Sequence, residues 1–127
     1  MKRVDIRRER RRRAVEIDIH SLRLYIRRYV REHAIGLFEV LNALAMKRFG
    51  KDVVSLLLTE PNRLYELVLE YYSSREAALF TISRLFIRPL VIKLGILERE
   101  DELVEAAINN PKKFVEILRE HGLEVGV

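Results

Sequence analysis

The chain has no cysteine and no glutamine, and only four of its 127 residues are asparagine. Without thiols, disulfides and thiolate metal sites are excluded. A scarcity of thermolabile side chains together with 34% charged residues fits a protein from a hot environment; 18 arginines against 6 lysines point the same way with less weight. The five glycines stand singly, so there is no glycine-rich loop to cradle a phosphate. No apolar region follows the charged N-terminus as in a signal peptide. The longest apolar region, residues 79–97, is interrupted by Arg84, Arg88 and Lys93. A membrane span needs about 18 or more apolar residues with few charges. These absences predict a soluble, cytoplasmic chain without a transmembrane span.

What is present is hydrophobic residue, 49% of the total and spread along the whole length. That is enough for one domain with a core of its own. Charge, in contrast, is segregated. Residues 1–33 carry 12 Lys/Arg against 5 Asp/Glu, whereas residues 34–127 carry 12 against 14. The net charge of +5 is therefore a basic arm, +7, on a body of −2. The division predicts an arginine-rich arm and helix over 1–33 and a helical bundle over 34–127. A basic arm suits an acidic partner: nucleic acid, an anionic membrane surface or an acidic protein.

Nothing breaks a helix before Gly36, and the first proline is Pro61. Val15, Ile19, Leu22, Ile26, Tyr29 and His33 follow steps of four and three, which predicts one helical seam. Val15, Ile17 and Ile19 also alternate as in a strand, and Asp18 or Ser21 would cap a helix that starts later. Further helices are expected through "GLFEVLNALAMKRF", ending at Gly50, and through "DVVSLLL", capped by Asp52. Pro61 opens another, to about Tyr72. "SSRE" reads as a capping box, Ser73 with Glu76, ahead of a long apolar helix to about Leu94. Thr81, Arg84 and Arg88 make the only polar stripe on that helix, and Pro89 is expected to kink it. "EREDE" reads as a charged link before two short helices, 101–108 and 111–121. The fold class is all-α, a small bundle of five to seven helices with a long basic N-terminal helix.

Residues 52–72 and 102–122 align at an offset of fifty without a gap. Val54/Val104, Pro61/Pro111, Glu66/Glu116 and Glu70/Glu120 are identical, and Leu64/Phe114, Leu67/Ile117 and Val68/Leu118 stay apolar. Each copy reads as helix, proline corner, helix. Two amphipathic corners of this kind also look alike without a duplication.

"EPNRLYELVLEYY", the small-residue start "SSREAA" and the apolar "LFTISRLFIRPLVIKLGI" resemble an archaeal helical family, the Nitrosopumilus-type output domains of signalling proteins. The resemblance covers residues 34–96 and leaves out the basic arm. Ser73-Ser74 stands where the family has a glycine-containing turn. The resemblance implies a helical interaction or output module without catalysis, and it carries no functional residues over.

Arg7, Arg8, Arg10, Arg11, Arg12 and Arg13 form a run that would neutralise several phosphates. Arg23, Arg27, Arg28 and Arg31 lie further along, opposite the apolar seam, and the planar guanidinium fork suits phosphate and carboxylate. The alternative is a solvated tail whose arginines pair with acids of the body, such as those from Glu98 to Glu102. No base-reading motif is present, so nucleic-acid binding would be driven by charge or shape. Tyr25 and Tyr29 fall on the apolar side of the wheel, as core aromatics with hydroxyls at the edge. Leu24 falls on the arginine face of the wheel; a single exposed leucine needs no explanation, but at that place it would also suit a dimer or partner contact. The seam of Val15, Ile19, Leu22, Ile26 and Tyr29 would support self-association as a short coiled coil, or else pack into the chain's own bundle.

His20, His33 and His121 lack metal-ligand spacing such as HExxH, and no nucleophile, base and orienting group can be assembled. Glu98, Glu100, Asp101, Glu102 and Glu105 lack the order of a calcium loop and suit the N-terminal end of the following helix. The expectation is a protein that is not an enzyme and needs no metal or cofactor. It would be an interaction module binding a protein partner or itself, with nucleic-acid binding through the arm as the alternative and anionic membrane association as a third reading.

Overall fold

A computed structural model describes residues 18–123; the expectations placed on Arg7 to Arg13 and on Val15 lie outside them. Among the described residues there are seven helices and no strand. They are α1 (Ile19–His33), α2 (Leu37–Phe49), α3 (Val53–Thr59), α4 (Pro61–Tyr72), the rod α5 over residues 75–94, α6 (Glu100–Asn109) and α7 (Pro111–Glu120), with a 3-10 turn, Leu97–Arg99, ahead of α6.

Each start and stop has a local cause. Asp18 is extended and accepts the amide of His20, so α1 begins at Ile19. The buried stripe of α1 is Leu22, Ile26 and Val30, all 0% exposed. Three residues at steps of four place one edge against the core, and the expected continuation through Tyr29 and His33 turns away from it. Gly50 ends α2 in the left-handed region, and Asp52 caps α3 by accepting from the Ser55 amide. Ser73 is not the cap of α5. It takes the left-handed conformation that terminates α4, with its N–H on Leu69, and Ser74 caps α5 by accepting the Ala77 amide. Because α4 winds through Tyr72, its termination uses the first serine and the cap falls one residue later.

α5 consists of Arg75–Phe80, a π-helical stretch Thr81–Ile87, and Arg88–Leu94. The Arg88 amide donates to Ser83, five residues back. Pro89 has no N–H and its ring crowds the carbonyl four residues earlier, so the ladder widens just before it. Thr81 is buried at 3% and leaves the expected polar stripe to Arg84 and Arg88. Ile82, Leu85, Phe86, Ile87, Leu90 and Val91 are all buried, and α5 packs against α1, α4 and α6 at the centre of the bundle. The expected charged link is helical: Glu100, Asp101 and Glu102 form the first turn of α6, where negative charge is favourable.

The fifty-residue echo has a structural counterpart. Val53, Val54, Leu56, Leu57, Leu64, Leu67 and Val68 are buried in one copy, and Leu103, Val104, Ala106, Ala107, Phe114, Ile117 and Leu118 are buried in the other. At the corners, Glu60 has φ −139, ψ 62 and Asn110 has φ −151, ψ 75. Both amides donate back over 2.8 Å, to Leu56 and Ala106. α3 packs on α7, α4 on α6, and α4 on α7, the pairings that exchange of the two copies preserves.

Candidate functional site

α1 lies on one side of the bundle, its buried stripe against α5 and α2. The opposite edge carries the predicted arginines, and the structure separates them into two kinds. Arg23 donates to Asp52 at 2.6 Å and Arg31 to Glu39 at 2.6 Å. The Arg27 guanidinium sits 5.8 Å from the Phe38 ring centre, and among the described residues neither it nor the exposed Arg28 has an ionic partner. Arg31 also lies over Phe38, at 5.3 Å. Of the acids from Glu98 to Glu102, Glu100 and Glu102 hold other cations. Glu100 takes both arms of Arg88 at 2.6 and 2.9 Å, and Glu102 takes Arg99 and Lys113. The Arg88 guanidinium is driven above its ordinary value by its hydrogen bonds to Glu100.

Two hollows open along this edge. The first, about 320 Å³, lies where α1, α2 and α3 meet; Leu24, Phe38 and Val54 form its apolar wall, and His20, Arg23, Arg27, Asn42 and Asp52 its polar rim. Asn42 accepts the Val53 amide over 2.8 Å and so ties α2 to the start of α3. Asp52 accepts from the Ser55 amide and hydroxyl as well as from Arg23. Burial alone raises the Asp52 carboxyl, but the bonds from Ser55 and Arg23 outweigh it and hold the group below its ordinary 3.8. The Val53 and Ser55 amides at the start of α3 are thus already occupied. What remains on the rim is two guanidinium groups against one carboxylate. The second hollow, about 500 Å³, is lined by Leu24, Arg27, Arg28, Arg31 and Glu32 and shares Leu24 and Arg27 with the first. From His20 to Glu32 the paired hollows follow α1 for about 18 Å at a rise of 1.5 Å per residue.

Leu24 is 47% exposed between the two hollows, as its place on the wheel implied. Leu22 and Ile26 are taken up by the chain's own core, the second of the two uses that the sequence left open for the seam; Ile19 is 37% exposed and Tyr29 half-buried. Tyr25, Tyr29 and His33 form a ladder on the flank of α1, with ring centres 6.3 and 4.0 Å apart. The Nδ1 of His33 donates to the Tyr29 carbonyl over 2.8 Å, and Lys93 of α5 lies 5.2 Å from the Tyr25 ring. The sequence did not single out Val30, Phe38 or Asn42. The step of four from Ile26 to Val30 was a readable signal for the first, whereas the other two depend on where α2 crosses α1.

Among the described residues no three His, Asp or Glu side chains gather as a metal site, and no helix is long and apolar enough to cross a membrane. Comparison of the chain with protein-family models, with curated proteins and with solved structures gives no match.

Proposed function

We propose that this chain is a non-catalytic interaction module that docks an acidic segment of a partner protein along the outer edge of α1. The observation that carries the reading is Leu24, an exposed apolar side chain set between two cationic hollows at Arg27 and Arg28. Apolar contact gives such a segment affinity, and the two arginines without carboxylate partners among the described residues select its charge and orient it. The hollows fall within the size range of binding clefts, roughly 300–1,000 Å³. The resemblance of residues 34–96 to archaeal output domains supports the same reading, since it implies interaction without chemistry.

A second reading has support in the charge segregation of residues 1–33: nucleic acid held by the arm, with Arg27 and Arg28 continuing the basic track. Two of the four α1 arginines are committed to carboxylates of the same chain, which leaves this face less charge for a polyanion. One titration separates the readings. A labelled peptide of alternating glutamate and leucine, duplex DNA, structured RNA and acidic vesicles are each added to the full chain at several salt concentrations. The docking reading expects the peptide to bind and Arg27→Glu and Leu24→Ala each to weaken it. Nucleic-acid binding would respond to Arg27→Glu and not to Leu24→Ala. Failure of the peptide to bind even at low salt removes the docking reading.

A further inference from the structure

α2 carries apolar side chains on its outward face as well as its buried one, the outward set mixed with charges. Its sequence, LFEVLNALAMKRF, buries Leu37, Phe38, Leu41 and Ala45, while Val40, Ala43 and Met46 remain exposed. Val40 is 40% and Met46 50% exposed. At about 100° per residue, the outward face is centred on Ala43. Glu39 and Lys47 lie about 40° to either side of it, and Val40 and Met46 about 60° to either side. Gly36 and Gly50 stand equally far along the helix in the two directions. The face therefore reads the same under reversal, except that a carboxylate exchanges with an ammonium.

We propose that a second copy of this chain packs on this face, antiparallel, about a two-fold axis that passes Ala43. A two-fold interface joins a patch to itself, so each residue meets the one equally far beyond the axis. Glu39 then meets Lys47 of the second copy, and Val40 meets Met46. Ala43 meets its own counterpart, small enough for the helices to approach closely. A parallel pairing would set like charges together instead. Lys47 has no ionic partner within the described chain, and Glu39 engages Arg31 through one oxygen with half its side chain still exposed. The charge complementarity and the small central residue identify the occupant as this chain itself, whereas an unrelated partner would have no reason to match the reversal. A single helix pair covers less than the roughly 800 Å² per partner of a standard interface, so the dimer is weak and depends on concentration. This face adjoins the α1 edge at the Arg31–Glu39 pair but does not rest on the docking reading.

The test is sedimentation equilibrium of the full chain over about 1 μM to about 1 mM. Wild type is expected to shift from monomer to dimer across that range. Ala43→Glu places like charges on the axis and is expected to raise the dissociation constant by about tenfold or more. It lies on an exposed surface, so thermal unfolding should be unchanged. Glu39→Lys and Lys47→Glu should each weaken the homodimer, and an equimolar mixture of the two should form heterodimers, because every cross-axis pair then becomes attractive. Wild type that stays monomeric throughout, a dimer indifferent to Ala43→Glu, or a mixture no better associated than its components would each overturn the proposal.

Discussion

The two helix–proline–helix corners share a backbone and differ in almost everything that fills it. Glu60 and Asn110 adopt nearly the same φ and ψ, and both amides reach back four residues. Yet Leu56 and Leu57 in the first copy correspond to Ala106 and Ala107 in the second, and Leu64 corresponds to Phe114. The second copy has smaller side chains in its first helix and a larger one after its corner. Capping differs too. Asn110 accepts the Lys113 amide with its side chain, whereas Glu60 caps nothing and spends its carboxylate on Lys51 and Arg63. What the copies hold in common is the proline, which drives the residue before it out of the helical region. The corner is thus set by a backbone constraint plus burial of the following apolar side chain, and the capping residue is a local addition.

The strongest way to break that comparison is to remove the buried side chain after each corner. Phe114 and Leu64 are both 0% exposed. Phe114→Ala is expected to cost about 3–5 kcal/mol and Leu64→Ala about 2–5 kcal/mol, the aromatic losing more because it leaves the larger cavity. Urea unfolding of both variants checks the order. A Phe114→Ala effect smaller than that of Leu64→Ala would mean that the alanines of α6 let the second corner collapse onto the gap.

Much of the architecture was legible because its signals are local. Pro61 and Pro111 open helices, Gly50 and Gly95 close them, and Asp52 caps α3, each recognisable within a turn of sequence. The misreadings lie where a local signal was shared between two claimants. Ser73 and Ser74 both suit a cap, and the length of α4 decided which serine terminated one helix and which began the next. Val30 and Tyr29 both suit a seam, and the packing of α1 against α5 and α2 took up Val30 and left Tyr29 half-buried. The α1 edge was half legible: Leu24 and Arg27 could be placed on a wheel, but the partners of Arg23 and Arg31 come from α3 and α2, far along the chain.

A milder probe compares what precedes the corners. Asp52 caps α3 and holds Arg23, so Asp52→Ala is expected to cost about 1–2 kcal/mol at neutral pH. Glu102, fifty residues on, sits inside the first turn of α6 and only pairs with Arg99 and Lys113. Its loss should therefore be the smaller. The pH dependence has a definite sign. The folded Asp52 carboxyl lies below its ordinary 3.8, so its contribution is complete above that value and is lost as pH falls through the folded one. Wild type and Asp52→Ala should accordingly converge in stability as pH falls from about 4 toward 2. A difference that persists unchanged to the acid end would show that the residue acts through packing. At the corner residues themselves, Asn110→Ala is expected to cost about 1 kcal/mol through the lost cap, and Glu60→Ala about 0–1 kcal/mol as a surface ion pair.

A comparably small expected effect is the most discriminating. Pro111→Ala releases the unfolded chain from a fixed φ, worth about 0.4–1 kcal/mol, and disturbs little packing because the ring is only half-buried. Pro61 is buried, so Pro61→Ala should cost more. If the corner is held by burial once formed, Phe114 and the bond from the Asn110 amide to Ala106 keep it in place without the ring. The amide introduced at position 111 would then stand at the first position of a helix, where no carbonyl lies behind it, and would exchange with solvent quickly. Were Asn110 instead to rewind and fuse α6 with α7, that amide would find a carbonyl four residues back and become protected. Hydrogen exchange at this single position thus distinguishes a corner that proline merely favours from one that proline alone maintains.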